Sequence, residues 1–177
     1  MSALPRIRDW VLRARDALRP PATAYAHCDI PCGIYDPHEA QIAALTVIRM
    51  DQLIGELVHP GPEGKPEEKN AYVSKLARYT AVKEQHAERL KHEVRVIWGD
   101  YFTADHAKQF PQTHELVFKI LKQASKARQG TNLGDAQELL KLVQEFADIF
   151  WQTKGSKTRR IPSMQKSGGE LVVPVGP

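Results

Sequence analysis

Apolar residues recur at helical spacing through most of this chain, and prolines and glycines cut the pattern into four long runs. From His38 to Val58, Ala43, Val47, Met50, Ile54 and Leu57 fall on one seam, which Ile42 and Leu45 widen. Pro60, Gly61, Pro62, Gly64 and Pro66 end that run. The second extends from Glu67 to Trp98, with Tyr72, Leu76, Tyr79, His86, Leu90, Val94 and Ile97 on one face. Lys83 and Glu93 interrupt it, and Gly99-Asp100-Tyr101-Phe102 reads as its end. A third run covers 111–128 through Val117, Ile120, Ala124 and Ala127, with Pro111 suited to a first helical turn. Gly130-Thr131-Asn132 separates a fourth, Leu133–Thr153, whose Ala136, Leu139, Val143, Phe146 and Phe150 point inward and which Gly155 closes. Four helices with short connections predict an all-α fold, an antiparallel up-and-down four-helix bundle over 38–155.

The two ends follow other rules. In residues 1–26, Leu4, Ile7, Val11, Ala14 and Leu18 alternate with arginines, which predicts a basic amphipathic leader helix stopped by Pro20-Pro21. Its apolar centre, Trp10-Val11-Leu12, is too short for a secretory signal. Ala24 and Ala26 nevertheless resemble a peptidase cleavage site just before His27. Residues 156–177 have no helical period and read as an extended tail, either laid on a neighbouring subunit or disordered.

Composition adds limits. A chain of 177 residues, 42% hydrophobic and 26% charged, suits one globular domain after a separate leader. The net charge of +4 is concentrated: residues 1–26 carry five arginines against Asp9 and Asp16. The basic balance therefore belongs mainly to the ends and implies no nucleic-acid partner. No apolar run approaches the roughly 20 residues that span a bilayer, so no membrane partner is expected.

The candidate chemistry lies between leader and bundle, in residues 27–37. Both cysteines of the chain, Cys28 and Cys32, stand there four residues apart, with His27 before the first and Pro31, Gly33 and Pro37 stiffening the segment. If His27 became the first residue, its free amine and the Cys28 amide nitrogen would close one five-membered chelate ring on a metal. That nitrogen and the Cys28 sulfur would close another. The turn at Pro31 would bring the Cys32 sulfur back to complete a plane, leaving the His27 imidazole for an axial position. Two nitrogens and two sulfurs in a plane favour nickel or copper over tetrahedral zinc. While Ala26 acylates His27, the first donor is a poor ligand, so cleavage belongs to the chemistry. On spacing alone, a small disulfide or a structural zinc corner stands beside this reading.

The run His27-Cys28-Asp29-Ile30-Pro31-Cys32-Gly33-Ile34-Tyr35-Asp36-Pro37 resembles the nickel hook of the nickel superoxide dismutase family. The similarity continues at Val82-Lys83-Glu84-Gln85, at Trp98-Gly99-Asp100-Tyr101-Phe102 and at Ile149-Phe150-Trp151-Gln152-Thr153-Lys154. It implies a propeptide over 1–26, removed by a processing peptidase, and one nickel ion per subunit held by His27, Cys28 and Cys32. Superoxide would be the substrate, turned into dioxygen and hydrogen peroxide by Ni(III)/Ni(II) cycling. Tyr35 and Tyr101 would flank the open face of the metal, and Asp29 and Pro31 would support the hook. A four-helix-bundle subunit, a homohexamer and a cytoplasmic location follow from the same resemblance.

One departure touches the site. The family orients its axial imidazole with a glutamate and an arginine, and the aligned positions here are Ala43 and His86. Either His86 substitutes alone or another subunit contributes, since a ligating histidine depends on its hydrogen-bond partner for orientation. The other histidines, His38, His59, His92, His106 and His114, read as surface residues. Two further functions remain compatible with the hook: a nickel- or copper-binding module without turnover, and a thiol redox protein cycling Cys28 and Cys32 through a disulfide.

Overall fold

The computed structural model describes residues 33–176, and the protein is mostly helical there. Helix α1 spans His38–Gly55 and α2 spans Pro66–Val96, running directly into a π-helical turn at Ile97–Tyr101. Short α3 (Ala104–Gln109) leads to α4 (Thr113–Gln129) and α5 (Leu133–Thr153). Two antiparallel strands, β1 (Thr158–Pro162) and β2 (Glu170–Pro174), complete the described chain.

Helix α1 packs against α2 and α5, and α4 packs against the same two helices. The apolar stripes thus meet in one core, where Ala40, Ala44 and Val47 of α1 face Leu90, Val94, Ile120, Leu139, Phe146 and Phe150, all sealed from solvent. Small residues on α1 leave room for the large rings of α5, which is how facing helices fill a core without voids. The start of α2 is set locally. Pro66 occupies the first turn, where its missing N–H costs nothing, and the Glu68 carboxylate accepts from the Lys65 N–H at 3.1 Å.

Lys83, which breaks the apolar pattern of α2, is nonetheless 1% exposed. Its ammonium lies 2.8 Å from Asp51 Oδ1 of α1 and also donates to the Gly130 carbonyl between α4 and α5. Three parts of the fold are pinned by one cation, whose burial is tolerable only because it is paired. Asp51 Oδ2 has no hydrogen-bond partner among the described residues.

The structure departs from the sequence pattern in three places. The second helix does not break at Gly99; the backbone widens into the π turn, and extended structure begins only at Phe102. Helix α3 was hidden because six residues are too few to show a period; Thr103 caps it by accepting from the His106 N–H at 3.3 Å. The tail is a β-hairpin folded on its own chain, with Leu171 and Val172 buried. Gln41 of α1 behaves as a surrogate strand: its Nε2 donates to the Val172 carbonyl at 3.0 Å and its Oε1 accepts from the Val172 N–H at 2.7 Å. Gln144 of α5 donates to the Glu170 carbonyl at 2.7 Å. Gly169 is required: its φ is +80°, and a Cβ there would lie 3.0 Å from Leu45 Cδ2.

Two stability outcomes follow. Gln41→Leu strands a buried N–H and a buried carbonyl of Val172 and is expected to cost about 2–4 kcal/mol, read from the midpoint of denaturant unfolding. Lys83→Met isolates the Asp51 carboxylate and should cost about 3–5 kcal/mol, most of which returns when Asp51→Leu is added.

Candidate functional site

The described chain begins at Gly33, the residue after Cys32 in sequence. The Asp36 carboxylate accepts from the His38 N–H at 2.8 Å, and the Pro37 carbonyl accepts from the Gln41 N–H at 3.2 Å. Pro37 is itself buried, so the peptide just before α1 is held and Tyr35 with it. The Tyr35 ring lies 5.6 Å from that of Tyr101, centroid to centroid, with the planes tilted at 52°.

Tyr101 is the last residue of the π turn, whose wider closure is made by the Phe102 N–H donating to the Ile97 carbonyl at 3.3 Å. Such turns insert a residue into helical winding and redirect the side chains that follow. The Tyr101 ring packs at 4.7 Å on Phe150, sealed in the core, and stacks at 5.5 Å on His106. Its hydroxyl lies 2.7 Å from Thr153 Oγ1. Lys154 Nζ stands 5.4 Å from the Tyr101 ring centre and 4.8 Å from that of Phe150, so a cation rests on the aromatic cluster. The sequence reading missed Thr153 and Lys154 as site residues, although both lie in a stretch it singled out. His114 is exposed as expected and accepts from Trp98 Nε1 at 3.0 Å, whereas His106 is half-buried and stacks on Tyr101.

His86 is half-buried on α2, and its Nδ1 is closed to solvent with no hydrogen-bond partner among the described residues. Burial lowers its proton affinity and Arg89 acts in the same direction, while Glu39 opposes them. His86 therefore favours the neutral form. Ala43 is fully buried. A carboxylate–guanidinium pair does join the two helices: Glu39 and Arg89 are ion-paired, four residues before Ala43 and three after His86. On both helices that is a displacement of one turn.

His27, Cys28, Asp29, Pro31 and Cys32, with the cleavage point at Ala26 and the leader helix, lie outside the described residues. Among the described residues no three His, Cys, Asp or Glu side chains cluster as metal ligands. The donor chemistry of the hook, two thiols and an imidazole within six residues, fits a nickel ion.

Comparison with known proteins decides the family. The family described as nickel-containing superoxide dismutase matches residues 22–154. The chain belongs to it. It is 36% identical over 135 residues to the nickel superoxide dismutase of Streptomyces coelicolor, covering 76% of this chain and 93% of that protein. The enzyme of Streptomyces seoulensis is 34% identical over the same coverage. Among solved structures, a nickel-containing superoxide dismutase with the ligation of its oxidized state superposes with a TM-score of 0.64 at 33% identity, covering 73% of this chain and 100% of that one. A native nickel superoxide dismutase superposes with a TM-score of 0.60 at 35% identity, covering 72% and 99%. The family match contains the hook, Tyr35, Tyr101 and Thr153, and it ends before the hairpin.

The state of His86 has a pH signature. Its folded proton affinity lies below the ordinary histidine value near 6.5, so the unfolded chain binds the proton more readily. Its contribution to stability is fully present above about pH 6.5 and is lost as pH falls through the lower folded value. Denaturant midpoints measured from neutral to mildly acidic pH should fall less steeply for His86→Gln than for the unsubstituted chain.

Proposed function

We propose that this protein is a superoxide dismutase whose mature form begins at His27, after a peptidase cuts the chain behind Ala26. His27 would supply amine and imidazole to one nickel ion per subunit, Cys28 its amide nitrogen and thiolate, and Cys32 a second thiolate. The bound nickel supplies a one-electron Ni(III)/Ni(II) couple through which two superoxide radicals and two protons become dioxygen and hydrogen peroxide.

The remaining work belongs to the chain. Tyr35 and Tyr101 narrow the approach to a width suited to a small anion and hold water beside it. Lys154, on the rings of Tyr101 and Phe150, adds positive charge that favours an approaching anion. Asp29 and Pro31 keep the hook in its turn. His86, at the position aligned with the family's arginine, would be available to orient the imidazole of His27. The four long helices form an up-and-down bundle, the subunits assemble as a homohexamer, and the protein works in the cytoplasm. The observation that carries the reading is the meeting of Tyr35, three residues after Cys32, with Tyr101 from the far end of α2.

The experiment adds one residue before His27 in otherwise mature protein. It should abolish superoxide turnover while leaving Cys28 and Cys32 able to form a disulfide. One nickel per subunit without turnover in the mature protein would favour a metal-binding module. Activity that survives metal removal and needs a thiol reductant would favour a thiol redox protein.

A further inference from the structure

The hydrogen-bond chain behind Tyr101 has a direction that can be read from its far end. A backbone carbonyl only accepts, and the carbonyl of Phe150 lies 2.6 Å from Thr153 Oγ1. Thr153 has a single hydroxyl hydrogen, and that contact uses it. The 2.7 Å contact between Thr153 Oγ1 and the Tyr101 hydroxyl therefore needs the hydrogen of Tyr101. No other hydrogen bond of Tyr101 is present among the described residues. The ring cannot easily turn away, because Tyr35, Phe102, His106 and Phe150 all pack against it.

We propose that Thr153 is a positioning residue that fixes the Tyr101 hydroxyl hydrogen toward the protein, so that Tyr101 meets the site as a hydrogen-bond acceptor. The inference rests on the superoxide dismutase reading for what the site is, although the direction of the hydrogen bond does not. Tyr101 takes a hydrogen from water and offers none to an incoming anion, so the protons of hydrogen peroxide come from elsewhere. A passive packing role for Tyr101 would not require this polarity.

The test follows the exchange of the Tyr101 hydroxyl hydrogen by NMR, using the deuterium isotope shift at a labelled Tyr101 Cζ in the full chain. In the unsubstituted chain the hydroxyl should exchange slowly and show a nuclear Overhauser effect to the Thr153 side chain. Thr153→Val, which removes the acceptor at nearly constant shape, should speed exchange about tenfold. Thr153→Ser should restore slow exchange. Equal rates in the unsubstituted and valine proteins would overturn the proposal, as would a serine variant that behaves like valine. Should the valine variant fail to fold, a Tyr101 hydroxyl that exchanges as fast as an exposed phenol in the unsubstituted chain overturns it alone. Absence of superoxide turnover in nickel-loaded protein that begins at His27 would instead strike the functional reading and leave the exchange result standing.

Discussion

Phe150 joins the core of this protein to its candidate site. Its side chain is sealed among the helices, and burying a ring of that size is among the larger apolar contributions a single residue makes. The same ring supports Tyr101 and lies beneath the Lys154 cation, while its carbonyl takes the Thr153 hydroxyl. Core packing and site polarity are thus two properties of one residue on the last turn of α5. Displacing α5 would move the aromatic floor, the cation and the hydroxyl chain together.

Polar groups inside the fold do a different job. Lys83 with Asp51, and Gln41 with the Val172 backbone, are buried pairs that join distant elements. Their net energies are modest, but any packing that left one partner alone would be costly. They therefore select one register of helices and hairpin from the many that apolar burial would tolerate. The hairpin itself lies beyond the matched part of the family, which ends at residue 154, and it lays Leu171 and Val172 over α1 and α5. On that face this chain uses its own extension as a cover.

The site combines a hook that lies within the family match with different surroundings. Where the family resemblance implies a glutamate and an arginine, this chain has buried Ala43 and a desolvated His86, and a Glu39–Arg89 pair stands one turn away. The Glu39 carboxylate favours a protonated imidazole but is the smallest of the influences on His86. Burial then decides in favour of the neutral ring, with Arg89 reinforcing it.

The sequence by itself determined the four long helices, because a period of 3.6 residues is written locally and breakers mark its ends. It also offered a candidate donor set in the hook, since ligand chemistry depends on residue type and close spacing within His27–Cys32. It showed Tyr35 and Tyr101 as aromatic residues near breaks, but not that their rings meet. Only the tertiary structure decided that meeting, the π turn that delivers Tyr101, the polarity imposed by Thr153 and the burial of His86 Nδ1 without a partner among the described residues. It also turned a tail without helical period into a hairpin, through a Gln41–Val172 contact spanning 131 residues of chain. The reason is common to all of these: such features depend on groups far apart in sequence and on which of them lose access to water, and local periodicity carries neither.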